Sequence, residues 1–341
     1  MAGLCAAARA RELGAEVVVL EKGDRPGGSM RLSSGFIWRH RDFDRFRSEC
    51  PDGDPALQRL IFDLLDEGLR WLESLGAPVI ARDTGNALTC GARFDTDGLT
   101  RALVAAAGEI QLGEPLRELP RDAPVLLATG GFQGDRDLVR LHVTPEAEHL
   151  LLRSNPWSAG DGLRLGLAAG GRTSVGMAEF YGRNMPAPPA RVSESDFVPL
   201  SQLYAHHATV FAGSGTFATR TWSEVDVVQW TARQPNAQAW YRVANERLSE
   251  RVRERTVAEL IAGAEAAGAP VERTDNDVTV AVRAGITTTV GGLAIDPQCR
   301  VRDGVFAAGA DAGGVMAGGY SSGLAAALVL GRIAAEEALS G

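Results

Sequence analysis

Residues 1–22 constrain the fold more than any other stretch. From Ala2 to Leu13 the chain is rich in Ala and Arg, with no Gly or Pro between Gly3 and Gly14, a composition that favours a helix. Gly14 suits the position just beyond a helix C-terminus. Val17 to Leu20 is a four-residue apolar run, as expected of a parallel strand covered on both faces. Glu21 closes that run, 18 residues after Gly3. An acid at about that distance from a glycine fingerprint accepts hydrogen bonds from ribose hydroxyls in a dinucleotide-binding βαβ unit. In such a unit Gly3 is the third fingerprint glycine, the one that lets helix and strand pack closely. The first strand and the first two glycines would then precede Met1. A surface helix followed by a core strand, with Glu21 a solvated strand end, is the other reading these residues allow.

The remaining composition narrows the function class. The chain has 341 residues, 45% of them hydrophobic, enough for one large domain or two. A net charge of −8, with no basic cluster among aromatics, argues against a nucleic-acid surface. No run approaches the roughly 18 apolar residues that span a membrane. The N-terminus lacks the basic segment of a signal peptide. Cys5, Cys50, Cys90 and Cys299 are far apart, which fits a reduced, cytoplasmic protein without a thiolate metal site. His206 and His207 are adjacent, but no His-x-x-x-His occurs, and no metal is expected.

Along the chain, residues 57–75 predict an amphipathic helix with Leu57, Leu60, Ile61, Leu64, Leu65 and Leu69 on one face. Helices are also expected at 97–107, 161–169 and 323–339, a buried strand at 125–129, and a long charged helix near 238–267. His206 and His207 fall in an expected strand, one facing in and one out. Residues 195–283 change character, with more Trp, Gln and Arg. The expected organisation is a discontinuous domain of 1–194 plus 284–341, with a smaller domain at 195–283.

Several motifs occur in a telling order. Gly27-Gly28-Ser29 follows Val-Leu-Glu-Lys. Then come Ala128-Thr129-Gly130-Gly131, Ala159-Gly160-Asp161-Gly162 and Gly291-Gly292-Leu293. Last are Gly309-Ala310-Asp311 and Gly319-Tyr320-Ser321-Ser322-Gly323-Leu324-Ala325. The ordered set resembles the flavoprotein family of fumarate reductase and succinate dehydrogenase, over nearly the whole chain. That family includes the ketosteroid and tricarballylate-type dehydrogenases. Tyr181-Gly182 and Met185-Pro186-Ala187-Pro188-Pro189 look most similar to the tricarballylate-type branch.

The resemblance implies an α/β fold: a Rossmann-like FAD-binding domain with an inserted, shortened α+β capping domain, N-terminally truncated so that its first β-strand is absent. It implies FAD as cofactor. Gly3 would pack at the fingerprint, and Glu21 and Lys22 would lie at the adenosine ribose. Gly27, Gly28, Ser29, Ser34 and Gly35 would line the pyrophosphate and flavin, with Thr129, Gly130 and Asp161 beside them. Asp311 would bond the ribityl chain. Leu324 and Ala325, at a helix N-terminus, would face the pyrimidine edge of the flavin, where the helix dipole favours negative charge.

The implied activity is oxidation or reduction of a carbon–carbon bond next to a carbonyl or carboxylate of a small molecule. Hydride would pass through flavin N5, and the electron partner is not specified. The chain departs from fumarate reductases where those clamp the substrate. Thr287, Thr288 and Thr289 stand for paired histidines, and Tyr320 for an arginine. Tyr320 matches the ketone-polarising tyrosine of ketosteroid dehydrogenases. Tyr320, Tyr181 and Arg220 are the candidate substrate contacts. The alternative is a degenerate, non-catalytic remnant that does not hold FAD.

Overall fold

The computed structural model describes residues 1–340. The chain divides into two compact units. The first comprises Met1–Asp135, Asn155–Glu179 and Thr288 onward, and the second Arg136–Ser154 and Phe180–Thr287. The second thus takes in 136–154, 180–194 and 284–287, besides the expected insertion.

The first unit is organised around two alanine-rich helices. Ala2–Glu12 buries Leu4, Cys5, Ala6, Ala7 and Ala8 and packs against Gly323–Leu339. The approach is close because Gly331 has no side chain: a Cβ there would stand 2.6 Å from the Ala2 carbonyl oxygen. Arg9 and Glu336 pair across the two helices at 2.7 Å.

Helix Pro55–Ser74 starts with Pro at its first position and Asp54 accepting from the Ala56 and Leu57 amides, a strong N-terminal signal. Its buried face carries Leu57, Ile61, Leu65, Leu69 and Leu72, each contributing about 1.5–3 kcal/mol by burial. Asp95 caps Thr96–Ala107 in the same way.

The strands of this unit form three small sheets. Val19–Glu21 pairs in parallel with Ile110–Leu112. Val125–Leu127 pairs in parallel with Val305–Ala307, and Arg300–Arg302 adds antiparallel. Phe36–His40, Thr89–Phe94 and Val79–Ala81 form an antiparallel three-stranded sheet.

The second unit is built on one mixed sheet. Gly215–Phe217, Thr209–Ala212, Gln238–Ala244, Asp277–Thr289 and Val271–Arg273 lie side by side in that order, and Leu151–Leu152 and Phe180–Pro186 also pair with Asp277–Thr289. Its core combines Tyr204, Tyr241, Val243, Val280 and Val282 with Leu260 and Ile261, the last two from helix Val257–Ala266.

Two local expectations fail here. Residues 238–267 are not one helix. Ala239, Tyr241 and Val243 are buried at every second position, which is the period of a strand. The charged stretch after them makes a short 3-10 turn and a two-residue hairpin. Only from Val257 does a helix run, set by a reciprocal capping box between Thr256 and Glu259. His206 and His207 lie in a 3-10 turn, Ala205–His207, closed by the His207 amide on the Tyr204 carbonyl, so the two do not alternate between faces. His206 is exposed, and half-buried His207 bonds Glu250.

Candidate functional site

The strand Val125–Leu127 runs into a sharp turn at Thr129-Gly130-Gly131. Gly130 and Gly131 have φ of 97° and 86°, a region costly for any residue with a Cβ. Asp311 holds the turn. Its carboxylate is 1% exposed and accepts from the Thr129 amide, the Thr129 hydroxyl at 3.1 Å and the Gly131 amide at 3.1 Å. Burial pushes the Asp311 carboxyl above its ordinary range, and these donors pull against that shift. The Thr129 hydroxyl in turn accepts from the Gly162 amide at 2.9 Å. This ties the turn to helix Asp161–Ala168.

The end of the Val19–Glu21 strand reaches the same helix. Lys22 Nζ lies 2.6 Å from an Asp161 oxygen. Glu21 Oε1 accepts from the Gly23 amide at 2.8 Å. Gly23 is there for space, since a Cβ would meet the Trp157 ring at 2.7 Å. A Cβ on Gly3 would touch Ala128 Cβ at 3.4 Å, so the first helix lies directly on the residue before the Thr129 turn.

The Gly27–Gly35 segment is small and tightly held. Gly27 and Gly28 have φ of 103° and 54°. Ser29 Oγ accepts from the buried Asn155 side-chain amide at 2.7 Å. Ser34 offers its carbonyl to Arg93 at 3.0 Å. A Cβ on Gly35 would stand 2.1 Å from the Phe94 carbonyl oxygen.

At the last helix, Ser322 caps Gly323–Leu339 by accepting from the Ala325 amide at 3.3 Å. The Leu324 amide is one of the first-turn donors without an intrahelical partner.

An aromatic group adjoins Tyr320. Its ring centroid is 5.3 Å from that of Trp38, which lies 5.3 Å from His40, and His40 is 5.4 Å from Phe46. His40 is fully buried. Its Nε2–H donates to the Tyr320 carbonyl at 3.4 Å, leaving Nδ1 without a partner. Burial holds its pKa below the ordinary value, so the ring is neutral at pH 7. Sequence inspection did not single out Trp38, His40 or Phe46. The available signal was the spacing of Trp38 and His40 two apart in Phe36-Ile37-Trp38-Arg39-His40, which puts both on one strand face.

Tyr181 and Arg220 belong to the second unit. Tyr181 is half-buried, with the Arg183 guanidinium 5.0 Å over its ring. Arg220 is exposed, and its backbone amide is held by Asp226 at 2.6 Å.

These features suit a flavin. Gly27, Gly28, Gly130 and Gly131 hold positive-φ turns, and at Gly27, Gly130 and Gly131 a Cβ would collide with neighbouring side chains of the protein. The Thr289 hydroxyl is buried and has no hydrogen-bond partner, and it lies 2.6 Å from where a Gly131 Cβ would stand. An orphaned buried hydroxyl is costly unless a ligand meets it. Backbone amides at a helix N-terminus add donors for an electron-rich ring edge. Among the described residues no group of three His, Cys, Asp or Glu could hold a metal ion, and no helix is long and apolar enough to cross a membrane.

Comparison with known proteins agrees. The family model described as an FAD binding domain matches residues 114–324, and an NAD(P)-binding Rossmann-like domain matches residues 1–40. No curated protein matches the chain by sequence. Among solved structures, a flavocytochrome c3 fumarate reductase in its open conformation superposes with a TM-score of 0.73 at 20% identity, covering 99% of this chain and 76% of that one. The 3-ketosteroid-Δ4-(5α)-dehydrogenase of Rhodococcus jostii RHA1 gives 0.73 at 16% identity, covering 99% and 94%. The 3-ketosteroid Δ1-dehydrogenase of Sterolibacterium denitrificans gives 0.72 at 16%, covering 100% and 98%.

The chain is a flavoprotein of the α/β, Rossmann-like class. It belongs to the FAD binding domain family, which the model matches over more than half its length, and is by that membership an FAD-dependent oxidoreductase.

Proposed function

We propose that this protein oxidises or reduces a carbon–carbon bond adjacent to a carbonyl or carboxylate of a small-molecule substrate. The observation that carries the reading is the Asp311-held turn at Thr129–Gly131 with the unpartnered Thr289 hydroxyl beside it.

In this reading the first unit holds FAD. Glu21 and Lys22 serve the adenosine ribose, with Gly3 keeping the first helix close. Gly27, Gly28, Ser29, Ser34 and Gly35 give backbone and hydroxyl contacts along the pyrophosphate and flavin. Thr129, Gly130, Asp161 and Thr289 line the ring, and Asp311 acts on the ribityl side by fixing the Thr129 turn. Leu324 and Ala325 lend the helix N-terminus to the pyrimidine edge. FAD, when bound, supplies the two-electron carrier that no side chain can replace.

The chain's own groups do the rest. Trp38, neutral His40 and Phe46 make a dry wall that strengthens any polar contact beside it. The Tyr320 hydroxyl donates to a substrate carbonyl, and Tyr181 and Arg220, of the second unit, are the further candidate substrate contacts. A cytoplasmic setting belongs to this reading and is supported by four free cysteines.

The test is anaerobic mixing of the FAD-loaded protein with 3-keto steroids, and with saturated and unsaturated carboxylic acids before and after dithionite reduction. Bleaching or recovery of the flavin band with one class supports the reading. A flavin that responds to none of them contradicts it.

A further inference from the structure

Arg283, in the strand Asp277–Thr289 of the second unit, is a cation without a counter-ion among the described residues. Its Nε is buried and has no hydrogen-bond partner. Among the described residues its guanidinium makes no ion pair. Arg332 and Arg39 also bury an unpartnered Nε, but each pairs with an acid, Glu67 and Asp66, at 2.7 Å, and Arg153 bonds the Phe197 carbonyl, Ser201 and Thr287.

A second cation lies beside it. Arg136 donates to the Ala147 carbonyl. The turn Ala147–His149 packs on the turn Pro235–Ala237, and the next residue, Gln238, is the strand partner of Arg283. The nearby acid, Glu146, is engaged by the Asn236 amide at 2.9 Å. Burial first, and then the charge of Arg136, hold the Arg283 guanidinium below its ordinary range. A guanidinium stays protonated even so, and a half-buried pair of like charges is costly until an anion joins it.

We propose that Arg283, with Arg136 beside it, binds a carboxylate of the substrate. This rests on the redox reading above and chooses, between its carbonyl and carboxylate arms, a substrate bearing a carboxylate. The planar fork of Arg283 matches a carboxylate through paired N–H···O bonds, and Arg136 contributes charge with the N–H groups that Ala147 leaves free.

The experiment is isothermal titration calorimetry of the purified protein with acetate, succinate, citrate and inorganic phosphate, recording flavin absorbance on the same samples. Wild type, Arg283→Gln, Arg283→Lys and Arg136→Gln are compared, with circular dichroism to confirm folding. We expect succinate or citrate to bind wild type, with Kd raised about tenfold or more in Arg283→Gln and by less in Arg283→Lys, which keeps the charge but loses the fork. Arg136→Gln also weakens binding, so the proposal stays testable should Arg283→Gln fail to fold.

Three results would overturn the proposal: no carboxylate binding to wild type, equal binding by the folded variants, or tighter binding of phosphate than of any carboxylate. A colourless protein that still binds carboxylate through Arg283 contradicts the redox reading and upholds the anion site. A yellow protein that binds none does the reverse.

Discussion

The Asp311 carboxylate accepts from both the amide and the hydroxyl of Thr129, across 182 residues of sequence. This one side chain joins the C-terminal segment to the turn after Val125–Leu127 and sets the backbone on which the flavin site depends. Asp311→Ala would leave the Thr129 and Gly131 amides without their acceptor. The expected loss is about 1–3 kcal/mol for each orphaned amide, with a smaller loss for Asp311→Asn, which keeps one acceptor oxygen. Urea unfolding measures both. An alanine variant as stable as wild type would show that the turn holds itself.

Thr289 separates ligand binding from stability. Its buried hydroxyl has no partner among the described residues, so Thr289→Val, which keeps the shape, is expected to leave stability unchanged or raise it by about 1 kcal/mol. The same change is expected to weaken FAD binding. Thermal unfolding and flavin titration together check this. A variant that loses stability but binds FAD normally would assign the hydroxyl a purely internal role.

Gly331 reverses an ordinary rule. Gly→Ala inside an exposed helix gains about 1 kcal/mol. Here the new Cβ would stand 2.6 Å from the Ala2 carbonyl oxygen, so Gly331→Ala is expected to cost about 1–3 kcal/mol by overpacking. A rise in the thermal midpoint would contradict the packing of the first helix on the last.

Glu224 gives the second unit a pH dependence. It is buried with φ of 57°, and its Oε2 has no partner. Burial raises its pKa from 4.5 to about 7, while Arg183 and His206 pull the other way. Tyr204 and Tyr241 also sense this charge, and Asp226 acts on Tyr241 in the same direction. A carboxyl raised in the folded state binds its proton more tightly there than in the unfolded chain. Its contribution is therefore most favourable below about 4.5 and is lost as pH rises towards 7, by up to about 3 kcal/mol. Glu224→Gln is expected to flatten stability measured between pH 5 and 8. An unchanged slope would place the titration elsewhere.

Much of this was legible in the sequence wherever a local rule decides. Asp54-Pro55 and Asp95 announce helix starts, and the Leu/Ile stripe from Leu57 fixes which face is buried. The ordered glycine motifs carried the family resemblance, and at Gly131, Gly162, Gly291, Gly292 and Gly319 a Cβ would collide with its surroundings. Residues 238–267 misled because charged residues between a strand and a capped helix imitate one long charged helix, and only the two-residue burial period of Ala239, Tyr241 and Val243 separates them. The Trp38–His40–Tyr320 group and the lone charge of Arg283 were not legible. Both depend on residues far apart in sequence, or on the absence of a partner, which only the folded arrangement reveals.

The central claim is that this chain holds FAD, and the most direct measurement is an absorbance spectrum of the purified protein with its flavin content after denaturation. The account predicts visible flavin bands and close to one FAD per chain, with the content reduced in Thr289→Val and Asp311→Ala. A folded, colourless protein that takes up no added FAD would contradict it and leave a degenerate relative of flavoenzymes.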